Sequence, residues 1–363
     1  MNNSNKKALV FVFGGLGDTV LLIPLIKRLK ERDHTVTALV TNSFGGYELL
    51  RLLSLCDTVK FILKKEIHKW VFWILTRYRY FDRAYLNHLA VSKKSLMIAL
   101  LTSKQITTHR KSEGLPSFMS SHVEDVAPLG SCHDAVENLR LFDPSLDNTV
   151  LNEDLLSVSL PETIKEDFLK KRAPWRFFLD RPYVLVKPSA GNNIITYKNW
   201  PIPHWKIFLR YLSKTYPGYH FILLGDRNES VLEHDFLSEK LPNVISLIGQ
   251  TSIEDLLNLV SLSRFFIGVD GGIMHIAAFL RKPTFTLWGP TDFRLYGYEG
   301  LNPKKHKCVF QNIWCRPCSV WIHPNRKRVS RPEECPDKIC LAGLMPDTVI
   351  KEFDAFFEKI NLV

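Results

Sequence analysis

The densest run of residues that could carry chemistry lies between positions 268 and 278. Asp270 follows an apolar, strand-like run, Gly271 and Gly272 open a predicted helix, and His275 comes within its first turns. The free N–H groups at a helix N-terminus favour negative charge. We interpret the run as a diphosphate-binding loop. A tight turn followed by an ordinary core histidine is the alternative, and for such a motif standing alone it would be preferred.

Two further loops of small residues follow predicted strands. Gly289 and Thr291 belong to one of them, and Ser189 and Gly191 belong to the other. Lys198 stands just before a helix that opens with proline, and its ammonium group could pair with phosphate. A solvated surface lysine is the alternative for this position. Three such loops together make a purely structural explanation less attractive than it is for one.

Near the N-terminus, the first predicted strand runs into the segment Gly14–Asp18, which contains Gly17. A dinucleotide fingerprint would need a third glycine where the chain has Val20, so a nicotinamide dehydrogenase is disfavoured. Asp18 could cap the following helix, or it could be a general base that takes a proton from an acceptor hydroxyl. The sequence leaves both roles open.

Alternating strand and helix patterns place these loops in an α/β protein. The alternation fades near residues 143–180 and then restarts, which predicts two doubly wound parallel sheets with the ligand between the carboxyl ends of their strands. We expect an N-terminal Rossmann-like domain over 1–165, a second Rossmann-like domain over 175–345 with a Cys-rich segment at 308–340, and a C-terminal helix over 346–363.

Length and charge narrow the class of protein further. The chain has 363 residues, and 48 Lys and Arg against 37 Asp and Glu give a net charge of +11, which favours an anionic partner. No nucleic-acid-binding signature accompanies the charge. We find neither a signal peptide nor an apolar run of the ~20 residues that a membrane-spanning helix needs, so we expect a cytoplasmic protein.

Cysteines crowd into the C-terminal part of the chain. Two residues separate Cys315 from Cys318, and four separate Cys335 from Cys340. This spacing is compatible with tetrahedral Zn or Fe in a structural site. Reduced thiols without a metal are the alternative. The odd total of seven cysteines argues against a secreted disulfide framework.

Two basic segments allow a contact with an anionic surface. One is the run His323–Arg331, and the other is the aromatic and basic segment Lys64–Arg83. The second is compatible with a flap that faces an acceptor or a membrane. A solvated loop and a buried helix, respectively, are the alternatives.

Taken together and in order, these motifs resemble the bacterial lipopolysaccharide heptosyltransferases, glycosyltransferase family 9, over roughly residues 8–345. The resemblance rests on Gly17-Asp18-Thr19, Lys198-x-Trp200-Pro201, Asp270-x-Gly272-x-x-His275-x-x-Ala278 and Gly289-Pro290-Thr291. It implies a GT-B fold, in which two Rossmann-like domains face a central cleft, and an inverting sugar transfer from a nucleotide diphosphate that needs no cofactor for catalysis.

The resemblance also implies roles for individual residues. Asp18 would be the base that deprotonates the acceptor, and Lys198 would neutralise the departing diphosphate. The implied donor-binding residues are Gly17, Ser189, Gly191, Asp226, Glu229, Asp270, Gly271, Gly272, His275, Gly289 and Thr291.

The chain departs from the family pattern at two places. The usual Asp-Thr-Gly is Asp270-Gly271-Gly272 here, and the acidic residue that would reach the donor nucleoside is either Asp226 or Glu229. We expect ADP-heptose as donor and a lipopolysaccharide core or another lipid-linked glycan as acceptor, reached by peripheral contact with the inner membrane. The alternatives are a protein O-heptosyltransferase with a Cys-bound metal, since a four-cysteine iron site occurs in its autotransporter-modifying relatives, and a non-catalytic GT-B binding protein.

Overall fold

The computed structural model describes residues 5–41, 44–63, 65–109, 121–170, 181–191, 198–318, 335 and 338–361. The basic run His323–Arg331 therefore lies outside the described residues. The chain divides into two compact units, Met1–Leu156 and Ser157–Val363.

The first unit is built on a parallel six-stranded sheet in the order β3-β2-β1-β4-β5-β6. Its strands are β1 (Lys7–Val12), β2 (Thr35–Val40), β3 (Thr58–Phe61), β4 (Phe81–Leu86), β5 (Ser103–Thr108) and β6 (Val123–Asp125). Its helices are α1 (Leu16–Leu21), α2 (Ile23–Glu31), α3 (Gly46–Leu52), α4 (Ile67–Thr76), α5 (Lys93–Thr102) and α6 (Asp134–Arg140).

The second unit repeats this topology, because its parallel sheet has the order β12-β11-β10-β7-β8-β9. Its strands are β7 (Tyr183–Lys187), β8 (His220–Leu223), β9 (Val244–Ser246), β10 (Phe266–Val269), β11 (Thr284–Trp288) and β12 (His306–Phe310). Its helices are α7 (Glu162–Lys170), α8 (Ile202–Thr215), α9 (Ser230–Leu237), α10 (Ile253–Leu262), α11 (Gly272–Phe279), α12 (Phe293–Tyr296), α13 (Ile339–Ala342) and α14 (Pro346–Asn361).

Both sheets are doubly wound, as the sequence predicts. In β1, Ala8 and Val10 pack into the core on one face of the sheet, and Leu9 and Phe11 pack into the core on the other face. Successive side chains of a strand point to opposite faces, so a strand covered on both sides must be apolar throughout. The strand order reverses between β1 and β4 and between β7 and β10. Ligands of such sheets bind at this switch point, beyond the carboxyl ends of the strands.

The segment after β1 forms two helices, although its pattern predicts one continuous helix over Thr19–Arg32. α1 ends at Leu21 and α2 begins at Ile23, with Pro24 in its first turn. Proline has no N–H to donate to the preceding turn, so it ends one helix and suits the start of another. The apolar face of the predicted helix is nevertheless buried, as Leu22 and Ile26 show.

Residues 157–165 are grouped with the second unit. The backbone N–H of Val158 donates to Phe279 O at 2.8 Å, and Arg281 Nη2 donates to Ser157 Oγ at 3.1 Å. α7, which begins at Glu162, packs against α10. At the other end of the unit, Phe353 of α14 packs edge-on against Phe208 of α8, with ring centroids 5.5 Å apart.

No helix in the described ranges is long and apolar enough to cross a membrane.

Gly268 of β10 packs closely against β7, so a larger residue at this position should lower the stability of the protein. A Cβ atom at Gly268 would lie 2.6 Å from Phe266 Cζ and 2.7 Å from Lys187 O. Because a backbone oxygen cannot move aside without disturbing the sheet, we expect Gly268→Ala to lower the free energy of unfolding by about 1–3 kcal/mol in urea titrations. The matched control is Gly300→Ala, where a Cβ meets no atom within 4 Å. Equal stability of the two variants would contradict this account.

Candidate functional site

A buried polar cluster around Asp270 occupies the switch point of the second unit. Asp270 directly follows β10, and its Oδ2 atom accepts hydrogen bonds from Lys198 Nζ at 2.5 Å and from Thr291 Oγ1 at 2.6 Å. Lys198 precedes α8, and Thr291 follows β11. The structure thus brings together three predicted site residues from three separate loops. Lys198 is 7% exposed, so it is not the solvated lysine of the alternative interpretation.

The electrostatics of this cluster keep Asp270 ionised. Burial by itself raises the pKa of Asp270, but the charge of Lys198 and the hydrogen bonds from Lys198 and Thr291 oppose it, and the pKa is lowered overall. Burial lowers the pKa of His275 to about 4, against the opposing pull of Asp270. His275 is therefore neutral at physiological pH, with Nδ1 2.6 Å from the hydroxyl of Tyr298.

The glycines around the Asp270 cluster have different structural roles. Gly271 caps α11 in extended conformation, and Gly272 is the first residue of that helix. The first backbone N–H groups of α11 have no acceptor within the helix. Gly289 has a packing role, since a Cβ there would lie 2.6 Å from Leu341 Cδ1. The structural interpretation thus accounts for Gly289 without a ligand.

A second ion pair lies on the other side of β7. Lys187 Nζ donates to Glu229 Oε1 at 2.5 Å and to Ser189 Oγ at 3.1 Å. The other oxygen of Glu229 accepts from the backbone N–H of Asp226 at 2.6 Å. Burial lowers the pKa of Lys187, an effect that Glu229 partly opposes. Sequence reasoning missed Lys187, because a single lysine at the end of an apolar strand carries no motif.

These contacts distinguish Asp226 from Glu229, the two acidic residues that are candidates for binding a donor nucleoside. Both oxygens of Glu229 are occupied by partners within the second unit, whereas Asp226 is partly exposed. Gly191, on the facing loop, has φ +73° and therefore suits glycine. A cavity of about 320 Å³ opens beside Ser189 and is also lined by Trp200, a volume in the range of small-molecule sites.

In the first unit, Asp18 lies in the first turn of α1, next to Gly17. Its Oδ2 atom accepts a hydrogen bond from the backbone N–H of Gly15 at 2.6 Å. A Cβ at Gly14 would lie 2.3 Å from Asp18 Cβ, so the carboxylate side chain and the glycine turn fit only together. Asp18 thus contributes to capping α1, but from the third position of the helix and not from the N-cap, which is Gly15.

A second carboxyl group, Asp134, lies deep in the first unit and belongs to no sequence motif. All residues of α6 are buried, and the helix packs on α1 and α2. Asn138 Nδ2 donates to Asp134 Oδ2 at 3.3 Å, and His88 Nδ1 lies 3.8 Å from Asp134 Oδ1. Burial and, after it, the charges of Asp18 and Glu137 raise the pKa of Asp134 well above its ordinary value. Burial and the neighbouring carboxyl groups therefore both favour the protonated form of Asp134.

The four predicted cysteine ligands act on one another electrostatically. Burial and, after it, the charges of the neighbouring cysteines, including Cys315 and Cys335, raise the pKa of Cys318 and of Cys340 to about 11. Within the described part of the chain, however, no three His, Cys, Asp or Glu residues are arranged so that they could hold a metal ion.

The cysteine segment is tied to the loop that carries Thr291. Arg316 Nε donates to Gly289 O at 2.8 Å, and the backbone N–H of Cys318 donates to Pro290 O at 3.0 Å. The guanidinium also stacks over the ring of Phe310, with its carbon 4.3 Å from the ring centroid. Arg316 and Cys318 are thus bonded directly to the loop that carries Thr291.

Two Rossmann-like units with a polar site at each switch point define a nucleotide-binding type of α/β protein. The chain belongs to glycosyltransferase family 9 (heptosyltransferase), whose family model matches residues 77–327. The resemblance inferred from the sequence motifs is thereby confirmed.

Individual relatives agree with this assignment. Lipopolysaccharide heptosyltransferase 1 of Escherichia coli K12 is 29% identical over 116 residues, which are 32% of this chain and 35% of that protein. The matches to this relative and to its Salmonella typhimurium counterpart thus span about a third of the length of those proteins.

Solved structures establish the fold over nearly the whole chain. The E. coli ADP-heptose lps heptosyltransferase II has a TM-score of 0.71 at 18% identity, covering 97% of this chain and 99% of that one. The iron-containing dodecameric glycosyltransferase TibC from enterotoxigenic E. coli H10407 has a TM-score of 0.53 at 14% identity, covering 98% and 77%. The predicted GT-B class is confirmed.

The raised pKa of Asp134 generates a prediction about pH and stability. A carboxyl whose pKa is higher in the folded than in the unfolded protein stabilises the fold while it is protonated, and that contribution is lost as pH rises from the unfolded pKa towards the folded one. Asp134→Asn stays neutral at every pH. We therefore expect wild-type protein to lose stability relative to this variant as pH rises above the ordinary aspartate pKa of about 4, measured by urea unfolding.

The matched control for this experiment is Asp125→Asn, because Asp125 is an exposed residue at the end of β6 in the same unit. Its difference from wild type should stay constant over the same pH interval. Parallel curves for wild type and Asp134→Asn would show that Asp134 is ionised in the folded protein.

Proposed function

We propose that this protein is an inverting glycosyltransferase that moves a sugar from a nucleotide diphosphate to an acceptor hydroxyl. The observation that carries the proposal is the buried cluster of Lys198, Asp270 and Thr291 at the switch point of the second unit. Membership in glycosyltransferase family 9 supports it. A non-catalytic binding protein would have no need of both a buried cation there and a carboxylate at Asp18.

For the donor we propose ADP-heptose, and for the acceptor a lipopolysaccharide core or a related glycan. The support comes from similar proteins, of which one is an ADP-heptose lps heptosyltransferase and another a lipopolysaccharide heptosyltransferase. Asp226 is the better candidate for a contact with the donor nucleoside, because Glu229 is held by Lys187. Gly271 stands where the family has a threonine, so a hydroxyl contact to the donor phosphate is missing in this chain.

The donor side of the reaction follows from the charges of the cluster. An ammonium group has three N–H donors, and Asp270 takes one of those of Lys198. The remaining donors can bind the diphosphate, whose negative charge grows as its bond to the sugar breaks. Ionised Asp270 fixes the direction of Lys198, and Thr291 satisfies the same carboxylate oxygen. Neutral His275 adds a polar group without a further charge.

The acceptor side needs a base and a single displacement. In this proposal the acceptor oxygen forms a bond to the anomeric carbon while its proton passes to the Asp18 carboxylate. The bond between the sugar and the diphosphate breaks, and its electron pair leaves with the diphosphate towards Lys198. One displacement inverts the anomeric configuration. The hydrogen bond from Gly15 N–H orients the Asp18 carboxylate, and protonated Asp134 limits the negative charge beside it.

Asp18→Asn tests the base directly, because an amide oxygen can still accept from Gly15 N–H but cannot take the proton. We expect kcat for sugar transfer to fall by about 10²–10⁴-fold, with the affinity for ADP unchanged in calorimetry. Transfer is measured as ADP release in the presence of acceptor. Lys198→Ala should instead reduce both ADP affinity and kcat, because its ammonium contacts the leaving group.

Lys214→Ala is the matched control for the lysine variant, since Lys214 lies exposed on α8. Normal turnover by Asp18→Asn would remove Asp18 from the mechanism. Unchanged ADP binding by Lys198→Ala would refute the proposed donor site, even if the protein transfers a sugar by another route.

We also propose that Cys315, Cys318, Cys335 and Cys340 bind a structural Zn or Fe ion. Four thiolates are a set of ligands that both metals accept, and the mutual repulsion that raises the pKa of Cys318 and Cys340 would be relieved by a divalent cation. The proposal rests on this donor set alone, since the described residues contain no group of three ligands arranged to hold a metal. A metal here would support the protein O-heptosyltransferase alternative, because the TibC neighbour is iron-containing.

Metal analysis of protein purified under reducing conditions tests this second proposal. We expect about one Zn or Fe per chain, and its loss in Cys318→Ser. Cys56→Ser is the control, because Cys56 lies in the other unit. Metal-free wild-type protein, or metal that Cys318→Ser retains, would contradict it. Since Cys318 N–H is bound to Pro290 O, metal loss should also weaken ADP binding.

A further inference from the structure

Helix α4 of the first unit has two apolar faces, of which the core covers only one. Trp73 is buried and stacks on Phe81, with ring centroids 6.1 Å apart. Trp70 packs against the same core, and its Nε1 donates to Leu63 O at 3.1 Å. The helix is therefore anchored firmly to the sheet by its inner face, and its outer face is held in a defined orientation.

The outer face of α4 is apolar and open. Ile67 is 72% exposed, and the other members of this stripe are Val71 at 51%, Phe72 at 71% and Leu75 at 73%. Ile67, Val71 and Leu75 recur every four residues, so they line one side of the helix. A folded protein rarely leaves four large apolar side chains exposed side by side without a partner.

Basic side chains surround this stripe and have few acidic partners. Glu66 is paired with Lys69, and Asp82 is paired with Lys104. Lys65, Arg77 and Arg79 form no ion pair with any described residue, and Arg77 lies over the ring of Tyr80 at 5.0 Å. The aromatic rings Tyr78 and Tyr80 are exposed beside them. Apolar side chains bordered by cations and tyrosines complement an anionic bilayer, whose interface has headgroup phosphates above acyl chains.

The length of the stripe fits the surface of a bilayer. The helix has ten residues, so it is about 15 Å long. The same length is half of the ~30 Å hydrocarbon core, so the helix can lie on a membrane but cannot cross it.

We propose that α4 is a membrane-binding element whose outer face inserts into the surface of an anionic lipid bilayer. Ile67, Val71, Phe72 and Leu75 enter the acyl-chain boundary, and Lys65, Arg77 and Arg79 contact lipid phosphates. This inference does not rest on the proposed sugar transfer, because it concerns only the surface of the first unit.

Co-sedimentation with lipid vesicles tests the proposal without donor or acceptor. We expect wild-type protein to bind vesicles of equal parts phosphatidylglycerol and phosphatidylcholine, and the double variant Phe72→Ser, Leu75→Ser to bind at least about tenfold more weakly. Both side chains are exposed, so the variant should keep the wild-type melting temperature. Leu262→Ser is the matched control, because Leu262 is a 44%-exposed leucine of the second unit.

A charge variant tests the second part of the proposal. Lys65→Gln combined with Arg79→Gln should weaken binding to the phosphatidylglycerol vesicles by about fivefold for each charge removed at low salt, and should leave binding to pure phosphatidylcholine unchanged. Full vesicle binding by the Phe72→Ser, Leu75→Ser variant would overturn the proposal. So would wild-type protein that does not bind vesicles, or a wild-type dimer that this variant dissociates.

Discussion

The ion pair between Lys198 and Asp270 is the interaction on which the second unit's site depends. Removing two charges from water is costly, and their attraction offsets that cost only when the remaining hydrogen-bonding groups are satisfied. Thr291 supplies the additional hydrogen bond, and the neutral form of His275 avoids a second buried cation. Asp270 follows β10, Thr291 follows β11 and Lys198 precedes α8. Their hydrogen bonds therefore hold three separate segments together.

The two ion pairs of this unit have different consequences for a ligand. Lys187 and Glu229 satisfy one another and neighbouring polar groups, so they form a closed structural pair beneath the Ser189 loop. Lys198 faces the ends of the strands, where its remaining donors can be used. The resemblance to known heptosyltransferases implies a role for Glu229 in donor binding, and the structure gives that carboxylate an internal partner. This leaves Asp226 as the freer acidic group.

Two carboxyl groups of the first unit, those of Asp18 and Asp134, lie in different environments. Asp18 is half-buried beside a glycine turn and accepts a hydrogen bond from the backbone N–H of Gly15. Asp134 is enclosed by α6 and its neighbours, and burial favours its protonated form. Two nearby carboxyl groups in different surroundings have different pKa values, as is common where one of them must act as a base. The same unit exposes the stripe of α4, whose inner face is fixed by Trp73.

The sequence by itself determined the α/β class, the strand ends and most of the polar residues near Asp270. These follow from local patterns, because an apolar strand, a glycine turn and a helix start are each written in a few consecutive residues. It could not supply the pairing of Lys187 with Glu229 across 42 positions, the burial of Asp134, or the choice between exposed and buried faces of α4. Tertiary structure alone decided these, since burial and charge pairing depend on which distant segments the sheets bring together.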